Sequence, residues 1–243
     1  MKKGKKNIGN YHLHTYEWSD GRDKAEEMVK EAIKAGLTEI GFTDHFSTEK
    51  VGKSVNEGMI PDYIQMIKKL NEKYSDKIRI LAGLEIDTTP FNPHMASLPF
   101  KELNKLDYVL FEYVEDYSLR GCTLDELLQI RKSLKCDVGL AHPNIKLNFS
   151  HFDPKQLASL LKKNNIFLDT FSGDRGDEFF CGLLIDEDNF RDDMETFLDE
   201  LKKAGVEFAP STDSHTFKDL GKAAIAEKLI EKHRLALKSF KQK

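Results

Sequence analysis

Short apolar runs of strand length alternate along this chain with longer stretches whose apolar positions recur at helical spacing. The strand-like runs are Ile8 to Leu13, Glu39 to Thr43, Ile78 to Leu84, Tyr108 to Tyr113, Val138 to Ala141, Ile166 to Thr170 and Val206 to Pro210. The intervening helices carry start and stop signals. Asp23 precedes a run from Ala25 to Ala35 that Gly36 ends, and Pro61 opens the run to Tyr74. Thr123 and Glu126 have capping-box spacing, Asp153 and Pro154 begin another helix, and Ala204-Gly205 closes one that starts near Asn189. A last amphipathic run covers Asp219 to Leu237. Regular strand and helix alternation predicts parallel pairing, because parallel neighbours need a crossover connection that a helix supplies. The first turn has no GxGxxG and the chain no P-loop, which favours a barrel over a nucleotide-binding sheet. No repeat, low-complexity stretch or long linker divides the 243 residues, so a single domain is expected over 1–243.

The net charge of −4 offers no overall positive field to hold a nucleic-acid backbone. The basic ends, Lys2 to Lys6 and Lys238 to Lys243, are expected to be solvated tails. Cys122, Cys136 and Cys181 are an odd number without CxxC spacing, which points to a cytoplasmic protein. No apolar run approaches the roughly 18 residues of a membrane span. The basic start leads into Asn7, Asn10 and His12 rather than an apolar signal segment. Neither a membrane nor a nucleic acid is expected as a partner.

The histidines change the picture from fold to chemistry. His12 and His14 end the first strand, His45 the second and His142 the fifth, while His215 follows the seventh. Asp20, Asp44, Glu85 and Asp213 fall on the same rim. Alternate residues of a strand project to one side, so His12 and His14 can hold one ion between them. Asp213 and His215 repeat that spacing on the last strand, which lies beside the first in a closed barrel. Mixed imidazole and carboxylate donors suit zinc, manganese and iron, and so crowded a rim has room for more than one ion.

Tyr11-His12-Leu13-His14-Thr15 followed by Ser19-Asp20-Gly21 resembles the first motif of the PHP (polymerase and histidinol phosphatase) superfamily. Gly41-Phe42-Thr43-Asp44-His45 resembles its second, Gly83-Leu84-Glu85 its third, Ala141-His142-Pro143 a later one, and Thr212-Asp213-Ser214-His215 its last. The motifs span residues 8 to 225. The resemblance implies a distorted seven-stranded (β/α)7 TIM-like barrel binding two or three divalent metals. It implies one metal on His12, His14, Glu85 and Asp213, a second sharing Glu85 and using His142, and a third on Asp20, His45 and His215. Where the histidinol phosphatase branch has a further His ligand after the fourth strand, this chain has Phe111-Glu112-Tyr113. His94, nine residues after Glu85, has the better chemistry for that place and Glu112 the better position; the chemistry tips the expectation to His94.

The resemblance further implies a metal-dependent phosphatase that hydrolyses a small phosphate monoester with a metal-bridging hydroxide. L-histidinol phosphate is the specific candidate, because Pro61 to Asp87 resembles that branch. Asp213 or His215 would assist the departing alkoxide, and Arg175 would grip the phosphate with its planar fork. Two alternatives stand beside this. A metal-dependent amidohydrolase or deaminase also uses an HxH, but wants eight strands and a His where this chain has Asp169-Thr170-Phe171. A non-catalytic metal-binding module would not need the full set of ligands.

Overall fold

The computed structural model describes residues 8–171 and 192–241. The seven expected strands are all present as parts of one parallel sheet. They are β1 (Gly9–Asn10), β2 (Glu39–Phe42), β4 (Arg79–Asp87), β5 (Tyr108–Glu112), β6 (Asp137–Leu140), β7 (Ile166–Phe171) and β8 (Glu207–Ser211). Two short strands join them: β3 (His45–Phe46), beside β4, and β9 (Ala236–Leu237), beside β8. The order is β1-β2-β4-β5-β6-β7-β8-β9, and every pairing is parallel.

β1 is shorter than its apolar run because residues beyond Asn10 bond in two directions. Leu13 pairs sideways with Thr43, whose N–H donates to the Leu13 carbonyl at 2.8 Å. On the other side the Tyr11 N–H donates to Pro210 O, the Ser214 N–H to His12 O, and the His14 N–H to Ser214 O. The curled sheet therefore meets itself at the carboxyl end of its strands, where barrels gather functional groups.

Helices cover the outside: α1 (Ala25–Lys34), α2 (Ile60–Tyr74), α3 (Phe100–Leu103), α4 (Leu124–Arg131), α5 (Ile145–Asn148), α6 (Pro154–Lys163), α7 (Asp192–Ala204) and α8 (Ala223–Lys232). Thr123 caps α4 as its spacing predicts, and the Asp153 carboxylate caps α6 by accepting from Gln156 N. Asp23 does not cap α1; its carboxylate accepts the Phe217 N–H at 2.8 Å and ties the first helix to the chain after β8. The last run is not one helix. A 3-10 turn at Phe217–Lys222 leads into α8, Arg234 turns left-handed at φ 55, and β9 follows. Asn189, the expected start of α7, lies outside the described residues. No helix among the described residues is long and apolar enough to cross a membrane.

The interior has an apolar lower half and a polar upper rim. Tyr11, Leu81, Tyr108, Leu110, Phe167 and Phe240 pack together inside the sheet. Tyr108 fits there because its neighbours are glycines: a methyl on Gly41 would lie 2.0 Å from the Tyr108 hydroxyl. Phe240 corrects the expectation of a solvated basic tail at Lys238 to Lys241. Its ring centroid lies 4.8 Å from those of Tyr11 and Tyr108, and its carbonyl accepts from Arg79 at 2.8 Å. Lys238 pairs with Asp137 and Glu207 at 3.1 and 3.2 Å. The apolar ring, hidden among lysines in the sequence, closes the amino-terminal mouth of the sheet. Phe240→Ala is therefore expected to cost about 3 kcal/mol of stability, read as a lower urea midpoint with an unchanged slope.

Candidate metal centre

Strand register brings the polar rim together. β3 places His45 opposite Glu85 of β4, and Glu112 ends β5 two positions beyond the Leu110 that pairs with Glu85. His142 follows β6 with φ 28, and Asp213 follows β8 with φ 46, both backbone conformations that side chains with a Cβ adopt rarely and that cluster at functional sites. His12, His14, His45, Glu85 and Glu112 are all buried.

Glu85 is the centre of the constellation. Its Oε1 lies 3.3 Å from His12 Nε2 and 3.2 Å from His142 Nε2, and its Oε2 3.4 Å from His14 Nε2 and 3.0 Å from His45 Nδ1. Asp213 Oδ1 stands 3.6 and 3.2 Å from the same nitrogens of His12 and His14. A more open group forms at the rim edge, where Asp20 faces His14 at 3.7 Å, His45 at 3.6 Å and His215 at 3.3 Å. Four sets of donors lie close enough to share an ion: His12, His14 and Asp213; His12, Glu85 and His142; His45, Glu85 and Glu112; and His14, Asp20, His45 and His215.

Whether these donors fit a cation is decided by their hydrogen bonds. His12 Nδ1 is 2.6 Å from the Asp169 carboxylate, so that nitrogen carries the proton and Nε2 of the neutral ring is a lone pair. His14 Nδ1 is 3.4 Å from Ser19 Oγ, whose own proton goes to Asp44 at 2.6 Å, so His14 Nδ1 also donates. The two Nε2 lone pairs then face each other at 3.1 Å beside two carboxylates. Such a contact is repulsive until something positive enters it, and the donor set is one that divalent transition metals accept.

The protonation tendencies of the bare side chains express the same field. Burial opposes a charge on His12, but Glu85, Asp169 and Asp213 outweigh it and raise its pKa well above the usual range. Burial likewise opposes His142, yet Glu85 and then Glu112 lift it to about 9. His14 goes the other way, pushed down to about 3 by burial and by the neighbouring His45. Glu85 resists its own burial because His12 and His45 hold it well below the carboxylate range, whereas burial and the Glu85 charge raise Glu112. Without a cation, protons on His12 and His142 balance the carboxylate charge in its place.

The structure brings Glu112, not His94, to this cluster. Glu112 Oε1 lies 3.6 Å from His142 Nε2. His94 is exposed and belongs to none of the donor sets among the described residues. The cause is the turn after β4: Asp87 accepts the Thr89 N–H at 2.7 Å and its carbonyl accepts from Asn92 Nδ2 at 3.0 Å, which directs the loop outward. Glu112→Ala is expected to lose about one equivalent of bound metal and most turnover, with His94→Ala within about twofold of the parent in both. Elemental analysis and initial rates separate the two. Arg175 lies outside the described residues.

Three residues act here that the motifs did not assign. Asp169 sits in the apolar run of β7, and a lone carboxylate inside such a strand was the signal for it. Asp44, counted on the rim from sequence, turns away from the donors to accept from Thr15 N, Thr15 Oγ1 and Ser19 Oγ, so it braces the loop carrying His14 and Asp20. Lys50 Nζ meets Glu112 Oε2 at 2.5 Å. Beside His142 a cavity of about 330 Å³ opens, lined chiefly by apolar side chains including Tyr113, Leu119, Pro143 and Leu147, with Asp116 at its wall.

Residues 10–207 match the PHP domain family. The chain belongs to that family. Among its relatives, histidinol-phosphatase of Lactococcus lactis subsp. lactis is 30% identical over 152 residues, covering 59% of this chain and 53% of the relative. The match thus spans about half the length of that protein. A probable phosphatase of Acetivibrio thermocellus is 25% identical over 232 residues, 90% of this PHP chain and 84% of the relative. In fold, the chain resembles the crystal structure of histidinol phosphate phosphatase from Lactococcus lactis subsp. lactis in complex with zinc, L-histidinol and phosphate. The TM-score is 0.64 at 22% identity, covering 96% of this chain and 97% of the other.

Proposed function

We propose that this PHP protein is a metal-dependent phosphatase of small phosphate monoesters, with L-histidinol phosphate as the specific substrate to test first. The observation that carries the proposal is the close approach of His12 Nε2 and His14 Nε2, 3.1 Å apart and closed in by Glu85 and Asp213. The phosphatase relatives and the zinc in the structural neighbour support it.

Two or three divalent ions, zinc first, would be held by His12, His14, Glu85 and Asp213, by Glu85, Glu112 and His142, and by Asp20, His45 and His215. Such ions supply Lewis acidity toward phosphoryl oxygens and toward water at neutral pH. The protein's own part is placement. Glu85 contributes one oxygen to each side of the cluster and so sets the spacing of the sites. Asp169 keeps His12 in the tautomer that presents Nε2, and Asp44 does the same for His14 through Ser19. The cavity beside His142 receives the leaving group, and Asp116 at its wall favours an alcohol that carries an amine.

Asp213 and His215 divide their expected catalytic role. Burial works against the Asp213 charge, but His12 and His14 hold its carboxyl far below the ordinary range, so it has no proton to give at neutral pH. His215 Nδ1 is committed to the Asp213 carbonyl oxygen at 2.9 Å. Its Nε2 therefore either holds a cation with Asp20 or carries a proton for the departing alkoxide, but not both.

The amidohydrolase alternative is weaker on a specific point: the strand position where it wants a His ligand holds Asp169, which is occupied in orienting His12. Specificity constants for histidinol phosphate, glycerol phosphate, a sugar phosphate, a nucleotide and an oligonucleotide test the proposal. Small monoesters are expected to exceed the oligonucleotide by at least about a hundredfold. A preference for the oligonucleotide, or hydrolysis of amides with no phosphate release, would refute it.

A further inference from the structure

We infer that Lys50 is a phosphate-binding residue of this site, a cation supplied by the protein beside the metal cluster to take an oxygen of the phosphoryl group. The inference rests on the proposed phosphatase activity and adds a residue to it. Lys50 lies on the segment after β3, and that segment is built to hold it. Thr48 Oγ1 donates to the buried Asp87 carboxylate at 2.9 Å and accepts the Lys50 N–H at 3.1 Å, while the next N–H back, that of Glu49, donates to Phe91 O at 2.8 Å. A lysine that merely sat on the surface would not need its backbone tied to a neighbouring strand end.

Its side chain then crosses to the rim. Nζ reaches Glu112 Oε2 at 2.5 Å, lies 3.4 Å from the Tyr113 hydroxyl and stands 5.0 Å from the centre of the Tyr113 ring. Glu112 is shared, since its other oxygen faces His142. A carboxylate that gives its charge to a cation beside His45, Glu85 and His142 has less to give Lys50. The amine is then left with a weakened partner at the edge of the cluster, where an incoming phosphate dianion brings new acceptors. Tyr113 sits at the same edge and also lines the cavity beside His142, so an ester whose leaving group enters that cavity passes its phosphoryl group by Lys50.

A purely structural reading is a Lys50–Glu112 ion pair that holds Glu112 in place. The two readings differ in what is lost when the amine is removed. Inorganic phosphate is the probe, measured as a competitive inhibitor of phenyl phosphate hydrolysis and by calorimetric titration of the zinc-loaded protein. Metal content is measured on the same samples. Lys50→Met is expected to keep its metal content and weaken phosphate binding by about tenfold or more, with KM for phenyl phosphate rising more than kcat falls. Lys50→Arg is expected to stay within about threefold of the parent in phosphate affinity, because it retains the charge. Unchanged phosphate affinity in Lys50→Met overturns the inference, and so does loss of bound metal with phosphate affinity reduced equally in Lys50→Arg. A parent protein that binds zinc but releases no phosphate from any monoester defeats the proposed function instead, whatever Lys50 does to phosphate affinity.

Discussion

Glu85→Gln is expected to lower kcat/KM by at least about a thousandfold and to reduce the bound metal by at least one equivalent, the largest effect of any single substitution in the chain. The reason is position. Each oxygen of Glu85 lies within 3.4 Å of two imidazole nitrogens, so the carboxylate stands at the middle of the overlapping donor sets. An amide of the same size keeps one neutral oxygen acceptor and turns the other side into a donor pointed at lone pairs. The folded state should survive, because the charge that Glu85 brings inside is matched by histidines that can release their protons once it is gone. Thermal unfolding of the metal-free protein is the control: a transition close to the parent's together with lost metal places the effect in the site. Full metal content and parental rates in Glu85→Gln would remove Glu85 from the centre of the cluster.

What could be read from the sequence follows from how each feature is encoded. His12 with His14, and Asp213 with His215, are each two residues apart just beyond the ends of β1 and β8, and that spacing is legible in the sequence; the Leu13–Ser214 bridge and the left-handed turn of Asp213 at φ 46, which bring the two pairs together, are not. The alternation of strands and helices likewise carries the parallel sheet, because local periodicity is enough to specify it. Features that depend on register across distant segments were hidden. Lys50 lies 62 positions from Glu112, and nothing local distinguishes it from a solvated lysine; Asp169 is marked as a lone carboxylate inside an apolar strand, but its partner His12 lies 157 positions away and no local pattern names it. His94 misled for a related reason: imidazole is the better ligand in the abstract, but Asp87 organises a turn that carries it away from the rim. At the carboxyl end, lysine-rich composition masked a single ring, Phe240, whose place depends on a socket made by the distant Tyr11, Tyr108 and Phe167. The short β3 and β9 were missed because two residues contain no period to detect.

Removal of the metals is the second large effect expected, and it bears on everything said of the site. Protein purified without chelator should contain two or three equivalents of divalent transition metal and release phosphate from phenyl phosphate. Ligands that are histidine and carboxylate hold ions only when deprotonated, so chelation is best done near pH 6, where protons compete for the nitrogens. The stripped protein should keep its far-ultraviolet circular dichroism, because the sheet and its apolar half do not depend on the rim. Its phosphate release should fall by at least about a thousandfold and return when zinc, manganese or iron(II) is added back. The most direct measurement is therefore phosphate release on one preparation, before chelation, after it, and after metal is restored, with metal content determined at each stage. Loss and recovery of activity in step with two or three bound equivalents is the predicted result; activity that persists in metal-free protein, or a correctly folded protein that takes up no metal at all, would contradict it.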